Sequence, residues 1–323
     1  MKQLEILATL WPEMPHYTYF AKDDRISAIR LNTAMADVVT LPGLLKQAID
    51  QSYGTPLYFD IKGRQLRITE VLPNEEHLEC RLNHPVSVKT PTPVLFKAGA
   101  DGALLDHIEE DGYKLVFRGG PKFNLLPGES LHIRHPSLVV GGALFTEQQL
   151  AFIEAAKNAG INKYMLSYAG NNAEIEEFRK HVGTAEIIAK IEDKKGLDFV
   201  NTSYKKTKNT GLLTARGDLF VEVDRPHEIL QATKDIIKAD PDAIVGSRLL
   251  LSVTEEAVPS CADLNEMAWL IDQNYYRFMF CDGLCLKKES LDRAINILSA
   301  VYNAIEEEQN KPMYTKFGIP FKK

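Results

Sequence analysis

Cysteine is scarce in this sequence of 323 residues, with four in all, at Cys80, Cys261, Cys281 and Cys285. Four in a chain of this length are too few for the disulfide framework of a small secreted protein. Cys281 and Cys285 have a spacing seen in metal sites, but no second pair and no nearby histidine completes a tetrahedral zinc site. The sequence therefore predicts free thiols in a reducing compartment, and we expect a cytoplasmic protein.

Two other features are missing, namely a long apolar run and an excess of positive charge. No segment approaches the ~20 apolar residues that span a bilayer, and the first residues include Glu5 and Pro12, unlike a secretory signal. Lys and Arg total 38 against 44 Asp and Glu, a net charge of -6, which disfavours nucleic acid as the main partner. We expect neither a membrane nor a nucleic acid partner, and a homo-oligomer is compatible with this composition.

What the sequence does contain is a series of short apolar runs that alternate with amphipathic helical segments. This alternation is typical of a parallel sheet built from βα units. The predicted strands are Glu5–Trp11, Ser27–Thr33, Leu57–Gly63, Lys163–Ala169, Glu186–Glu192, Gly211–Leu219, Ala243–Leu250 and Arg277–Gly283. Eight strands with interleaved helices in about 250 residues predict a (β/α)8 TIM barrel in the α/β class.

One stretch, from Ile68 to His135, departs from this alternation. It reads as several short strands broken by turns rich in proline and glycine. We interpret it as a small β-rich domain inserted after strand 3 of the barrel. The predicted division is therefore 68–135 for the inserted, lid-like domain, with 1–67 and 136–323 forming the barrel. His132 and His135 lie near its end and are expected to be hinge or surface residues.

Ionisable side chains follow the apolar part of several predicted strands. Residues at i and i+2 share a face of a strand, so Lys190 and Glu192 should lie beyond the buried Ile188 on one face. In the same way, Arg216 and Asp218 should follow Thr214 on the sixth strand. Because active-site groups of such barrels lie at the carboxyl ends of the strands, we expect these side chains to meet at one end of the barrel.

Three more strands end in polar groups of the same kind. Arg30 and Asn32 end the second strand, Asp60 and Lys62 the third, and Ser247 lies in the seventh. Carboxylates on neighbouring strands suit a hard cation such as Mg2+, and nearby cations suit phosphate or carboxylate oxygens. The pattern favours a binding site, and the alternative interpretation is a structural ion network.

The segments that carry these groups are similar to those of one enzyme family. They are Leu4 to Pro12, Arg30-Leu-Asn32, Asp60-Ile-Lys-Gly63 followed by Arg67, Asn124 to Gly128, Ile188-Ala-Lys-Ile-Glu192, and Thr214-Ala-Arg-Gly-Asp-Leu219. Together they resemble the pyruvate kinase family, from the first strand to about Ser290. The resemblance implies a TIM barrel with an inserted lid, and a divergent, truncated member that lacks the family's C-terminal regulatory domain.

The resemblance also implies roles for the charged residues. Glu192 and Asp218 would hold Mg2+ (or Mn2+), Lys190 would neutralise the phosphoryl group in flight, and Arg30 would bind the phosphate. Asn32 and Asp60 match two ligands of the family's K+.

Further roles concern the acid substrate and the nucleotide. The backbone N–H groups of Gly217 and Asp218 would receive the substrate carboxylate, and Ser247 stands where the family has a threonine beside that carboxylate. Ser167 matches a substrate-binding position, and Arg67 would lie near the phosphates of ADP or ATP.

Several departures from the family pattern bear on these roles. Thr33-Ala34-Met35 follows Asn32 where the family has a Ser-His pair, which removes a K+ ligand and a nucleotide contact. Phe220 replaces a glycine and is expected to intrude on the space at the end of the sixth strand.

Three functions therefore remain open at the level of sequence. The first is a pyruvate kinase-like phosphotransferase that acts on phosphoenolpyruvate, pyruvate or a related 2-oxo acid with Mg2+ and ADP/ATP. The second is metal-dependent enolate chemistry without a nucleotide, of the lyase, aldolase or decarboxylase type. The third is a catalytically silent, pyruvate kinase-like binding protein.

Overall fold

Eight parallel strands close into a barrel in the computed structural model, which describes residues 2–73 and 77–310. Residues 311–323 of the expected barrel domain lie outside the described part. The chain begins with three strands of this barrel and two helices: β1 (Glu5–Thr9), α1 (Tyr17–Ala21), β2 (Ala28–Asn32), α2 (Leu41–Asp50) and β3 (Leu57–Ile61).

An antiparallel sheet of six strands follows β3. With a separate two-stranded ribbon, this part contains β4 (Ile68–Leu72), β5 (Leu78–Leu82), β6 (Val86–Ser87), β7 (Thr92–Phe96), β8 (Asp101–Glu109), β9 (Lys114–Arg118), β10 (Leu131–Ile133) and β11 (Val139–Val140). The sheet order is β10-β7-β8-β9-β5-β4, and β11 pairs with β6 to form the ribbon. Its apolar side chains form a core of their own. The β-rich insertion after the third strand is therefore confirmed, while the domain limits at 68 and 135 stay a prediction.

The remainder of the chain completes the barrel by alternating strands and helices. These are α3 (Glu147–Asn158), β12 (Lys163–Leu166), α4 (Asn172–Val182), β13 (Glu186–Ile191), α5 (Lys194–Thr202), β14 (Thr210–Ala215), α6 (Arg216–Glu222), α7 (Glu228–Ala239), β15 (Ile244–Gly246), α8 (Cys261–Asp272), β16 (Arg277–Met279), α9 (Asp282–Cys285) and α10 (Lys288–Asn310). The barrel order is β1-β16-β15-β14-β13-β12-β3-β2, and β1 pairs with β16 to close it. The predicted TIM barrel is confirmed.

Two layers of apolar side chains hold the barrel together. One layer packs between the strands and the surrounding helices, and a smaller one fills the barrel interior. On β13, Ile188 belongs to the interior, whereas Ile187 and Ala189 face the helices, as the period of two along a strand requires. Residues that follow the interior layer in the chain direction therefore meet at the carboxyl ends of the strands, an end that we call the barrel mouth.

The predicted strands all form, but each of the eight ends earlier than predicted. The sixth is the clearest case, because β14 stops at Ala215 and α6 begins at Arg216. Thr146 is the N-cap residue of α3, since its hydroxyl accepts a hydrogen bond from the Gln149 N–H at 3.2 Å. Among the described residues, no helix combines the length and the apolar character needed to cross a bilayer.

Gly63 forms the sharp exit from β3 toward the inserted sheet. Its φ is +52°, and a Cβ at this position would lie 2.9 Å from the Ser167 carbonyl oxygen, at the end of β12. The glycine therefore permits both the left-handed backbone and the close approach of two neighbouring strand ends.

Replacing this glycine should destabilise the protein through both effects. We expect Gly63→Ala to lower the free energy of unfolding by about 1–3 kcal/mol, because a positive φ is strained for alanine and the Ser167 carbonyl must move. Gly54→Ala is the control, since Gly54 has φ +90° with nothing within 4 Å of its added Cβ. Thermal unfolding should show the larger loss for Gly63→Ala, and equal losses would contradict the close-packing argument.

Candidate active site

Lys190 lies at the centre of a group of polar side chains at the barrel mouth. It follows the interior residue Ile188 on β13 and is 5% exposed. Its ammonium donates to the Ser167 hydroxyl at 2.7 Å, and lies 3.1 Å from Glu192 Oε1 and 3.2 Å from Asp60 Oδ2. Burial lowers the pKa of Lys190, but the charges of Asp60 and Glu192 outweigh burial and raise it above its usual value. These two carboxylates therefore favour the charged form of the Lys190 side chain.

Asp60 is the anion on which three cations converge. Its side chain is completely buried, and its Oδ2 accepts from Arg30 Nε at 2.8 Å and from Lys62 Nζ at 3.0 Å, in addition to Lys190. Its Oδ1 accepts from the Ser167 hydroxyl at 3.2 Å. Burial would raise the pKa of Asp60, but the surrounding cations hold it well below its usual value.

The cations around Asp60 outnumber its single charge. Burial, together with the positive charges of Lys190, Arg30 and Arg67, lowers the pKa of Lys62 to about 7 even though Asp60 opposes this shift. An anion that entered beside Lys62 would stabilise its charged form. This side of the mouth is therefore suited to a phosphate or carboxylate group.

Around Glu192, in contrast, negative charges are in excess. Glu192 is 2% exposed, and its Oε2 accepts from the backbone N–H of Tyr168 at 2.8 Å, a residue with a positive φ of 52°. Burial and the negative charges of Asp218 and Asp60 raise the pKa of Glu192 to about 7, against the opposing effect of Lys190. A cation that entered beside Glu192 and Asp218 would stabilise both carboxylates.

Asp218 lies in the first turn of α6, together with Gly217. Its Oδ1 lies 3.4 Å from His132 Nε2, and Gln65 Nε2 donates to its Oδ2 at 3.5 Å. Burial would raise the pKa of Asp218, but His132 and the cations Lys190 and Arg67 outweigh burial and lower it. Asp218 therefore stays ionised beside Glu192.

The two carboxylates fit a divalent ion that is completed by substrate. No group of three His, Cys, Asp or Glu side chains is placed to hold a metal ion among residues 2–73 and 77–310. Mg2+ in phosphoryl-transfer sites takes one or two carboxylates and fills its other positions with water and substrate oxygens. Glu192 and Asp218 would hold the ion, which would supply charge for substrate oxygens.

The donor set does not fit the monovalent ion that the family resemblance implies. The contacts of Asp60 to Arg30, Lys62 and Lys190 occupy the carboxylate that was expected to bind K+. The Asn32 amide donates from Nδ2 to Asp282 Oδ1 at 2.8 Å, while its oxygen accepts from the N–H of Ala34. Both residues expected to bind K+ are therefore already in contact with other groups of the protein.

The remaining sequence-predicted residues lie around this cluster. Arg67 donates from its guanidinium to Gln65 Oε1 and to the Gly128 carbonyl oxygen. Ser247 has a φ of +68°, and its Cβ would lie 3.1 Å from a Cβ built on Gly217, so the two residues pack closely. Phe220 faces Arg248, whose guanidinium carbon lies 4.9 Å from the ring centroid.

A cavity of about 410 Å3 adjoins the cationic side of the mouth. Lys62 and Arg67 line it, and its lining contains hydroxyl and amide groups but no carboxylate. The buried Oε1 of Gln149, another lining residue, has no hydrogen-bond partner among the described residues. The cavity therefore offers two cations to an anionic ligand.

Two expectations about this region are wrong. Thr214, Arg216 and Asp218 do not share a strand face, because the Thr214 hydroxyl contacts the Tyr275 hydroxyl outside the barrel interior and the other two residues belong to α6. His132 is not a hinge or surface residue, because it is 1% exposed and contacts Asp218 and Glu222. His135, in contrast, is partly exposed and contacts Ser137.

Sequence reasoning also missed the parts that Asp282 and Tyr168 play. Asp282 contacts both Arg30 and Asn32, and Tyr168 supplies the N–H that orients Glu192. Asp282 could have been identified from the sequence by its position at the end of the predicted eighth strand. His132 could have been identified by its position between two apolar residues, Leu131 and Ile133, of a short strand.

Comparison with known proteins finds relatives over nearly the whole chain. It is 24% identical over 334 residues to a pyruvate kinase of Thermoplasma acidophilum, a match that covers 94% of this chain and 58% of that protein. It is 25% identical over 345 residues to a pyruvate kinase of Thermotoga maritima, covering 95% and 72%. The chain thus spans less than two thirds of the length of the Thermoplasma protein.

No family model matches the sequence. Both relatives nevertheless carry the same name, and the match extends over the barrel and the inserted sheet that the structure contains. These similarities are consistent with a divergent member of the pyruvate kinase family.

Proposed function

We propose that this chain is a pyruvate kinase-like phosphotransferase that binds phosphoenolpyruvate, pyruvate or a related 2-oxo acid with Mg2+ (or Mn2+) and ADP/ATP. The observation that carries the proposal is the paired charge imbalance at the barrel mouth. The pKa of Lys62 is lowered to about 7 by burial and surplus cations, and the pKa of Glu192 is raised to about 7 by burial and surplus anions. An anion that arrives together with a divalent cation corrects both imbalances at once.

Each charged residue then has a role that its contacts support. Arg30 and Lys190 lie against Asp60, which fixes their positions. They would bind phosphate oxygens, and Lys190 would stabilise the charge of a phosphoryl group during transfer. The N–H groups of Gly217 and Asp218, in the first turn of α6, would receive the carboxylate of the acid.

Further residues would orient the acid and the nucleotide. Ser167 donates to Asp60 and accepts from Lys190, so that it holds the ammonium in place, and Ser247 packs against Gly217 beside the carboxylate position. The cavity lined by Lys62 and Arg67 supports a nucleotide, because two cations without a lining carboxylate favour phosphate groups.

A second candidate is metal-dependent enolate chemistry without a nucleotide. It is favoured by the contacts of Arg67, whose guanidinium already donates to Gln65 and to the Gly128 carbonyl instead of being free for phosphates. Lys190, Glu192 and Asp218 would act on a 2-oxo acid in the same way in both cases. The two candidates differ in whether turnover requires ADP.

The metal site can be tested by removing its charges without changing its shape. The double variant with Glu192→Gln and Asp218→Asn should have an affinity for Mn2+ that is lower by a factor on the order of 10 to 100, because both proposed ligands become neutral. Titration of Mn2+ by electron paramagnetic resonance measures this directly. Asp224→Asn is the control, since Asp224 is an exposed acid that pairs with Lys194 just after α6. Unchanged Mn2+ affinity in the double variant would refute this role for the two carboxylates.

Lys190→Met tests the chemistry and separates the candidate functions. We expect turnover of phosphoenolpyruvate with ADP to fall about 100-fold or more, because the buried ammonium is lost from the mouth. Lys195→Met is the control, since Lys195 pairs with Glu174 and is largely exposed. Exchange of pyruvate methyl protons in the absence of ADP, without phosphoryl transfer, would instead support enolate chemistry. Equal behaviour of the wild type and Lys190→Met in both assays would support a silent binding protein.

The internal cations around Asp60 predict independence from K+. Oxalate, a mimic of enolpyruvate, should bind in the presence of Mn2+ with the same affinity in KCl and in tetramethylammonium chloride at equal ionic strength. The reason is that Arg30, Lys62 and Lys190 already occupy the Asp60 carboxylate. Calorimetry in the two salts measures the affinity, and clearly tighter binding in KCl would show that K+ enters the site.

A further inference from the structure

Gln149 carries a buried amide oxygen, Oε1, that accepts no hydrogen bond from any described residue. The residue lies in the first turn of α3 and is 6% exposed, and its Nε2 donates to the Gly63 carbonyl oxygen at 3.1 Å. This bond fixes the orientation of the amide, because the opposite orientation would place two carbonyl oxygens against each other. A buried acceptor without a donor costs free energy, so a ligand that brings a donor to Oε1 is favoured.

The cavity of about 410 Å3 that Gln149 lines has the opposite preference elsewhere. Lys62 and Arg67 supply two positive charges to it, and its described lining contains no carboxylate. Ionised phosphate oxygens suit these cations, but they are acceptors and cannot supply the donor that Oε1 lacks. A bare phosphate or diphosphate would therefore leave the Gln149 oxygen unsatisfied.

Apolar side chains form a further part of the lining. Phe152 lies three residues after Gln149 and hence on the same face of α3. Ala34, Ala36 and Pro127 also line the cavity. Apolar lining of this kind suits the sugar or the base of a ligand rather than its phosphates. Cations, apolar groups and one acceptor together match a molecule that carries phosphate at one end and a hydroxyl or amino donor on its organic part.

Resting on the proposed phosphotransferase function, we propose that Gln149 Oε1 accepts a hydrogen bond from the sugar or the base of a nucleoside diphosphate whose phosphates lie at Lys62 and Arg67. Gln149 is then a specificity-determining residue, because it favours a nucleotide over inorganic phosphates that bind the same cations. The donors that ADP can offer are the 2′ hydroxyl, the 3′ hydroxyl and the amino group of adenine. Any one of them is sufficient to satisfy Oε1.

The preference for ADP over inorganic diphosphate tests this role. In Gln149→Met we expect ADP to bind about tenfold more weakly while the affinity for diphosphate is unchanged, because only the hydrogen bond to the organic part of the ligand is lost. Gln148→Met is the matched control, since Gln148 is an exposed neighbour that lines the same cavity. Calorimetry at one fixed Mg2+ concentration measures both ligands with all three proteins.

Two results of this experiment would overturn the proposal. Equal weakening of ADP and diphosphate by Gln149→Met would indicate a structural role, since loss of the bond to Gly63 affects both ligands alike. A preference for ADP that falls equally in Gln148→Met would show that the buried acceptor is not its source.

A measurement on the wild type does not depend on how the variant folds. Each of the analogues 2′-deoxy-ADP, 3′-deoxy-ADP and purine riboside diphosphate lacks one of the donors of ADP. We expect one analogue to bind about tenfold more weakly than ADP, because removal of that donor leaves Oε1 unpaired, and this analogue identifies the donor. Equal affinity for ADP and all of the analogues would overturn the proposal.

The outcomes also separate this inference from the proposed function. If the wild type binds ADP and Gln149→Met retains the full preference over diphosphate, only the selectivity by Gln149 fails. If the wild type binds neither ADP nor diphosphate, the nucleotide part of the proposed function fails, and this inference fails with it.

Discussion

The site is organised around the buried carboxylate of Asp60. A carboxylate without exposure to water is stable only when it is paired, and here Asp60 pairs with Arg30 of β2, with Lys190 of β13 and with Lys62, which follows β3. Asp60 in turn stabilises the three cations, because its negative charge allows them to lie close to one another inside the protein. Loss of this one anion would leave three buried positive charges facing each other.

The surplus charge left by this arrangement is the basis of the proposed chemistry. On one side of the mouth, the positive charges near Lys62 outnumber the single negative charge of Asp60. On the other side, the negative charges of Asp218 and Asp60 act on the buried carboxylate of Glu192. The pairing of a positive surplus with a negative one a short distance away is suited to a metal ion bound together with an anion.

The inserted domain packs against the barrel beside the mouth. In the inserted domain, His132 contacts α6, Arg134 donates to the Val223 carbonyl just after this helix, and the Ala98 carbonyl accepts from Arg248, which lies over the ring of Phe220. Phe220 was expected to intrude on the substrate space, but its ring packs under Arg248, which itself contacts the inserted domain. The residue that departs from the family pattern therefore contributes to the docking of the inserted domain on the barrel.

The sequence by itself determined the eight strands, their βα alternation, the β-rich insertion and the side-by-side placement of Lys190 and Glu192, because these depend on local periodicity. It could not determine where a strand gives way to a helix, and so Arg216 and Asp218 were assigned to β14 although they begin α6. Only the tertiary structure decided which charges meet, because Asp60 and Lys190, or His132 and Asp218, lie far apart along the chain. Contacts of this kind depend on barrel closure and on how the inserted sheet packs against α6, and neither leaves a periodic signal in the residues involved.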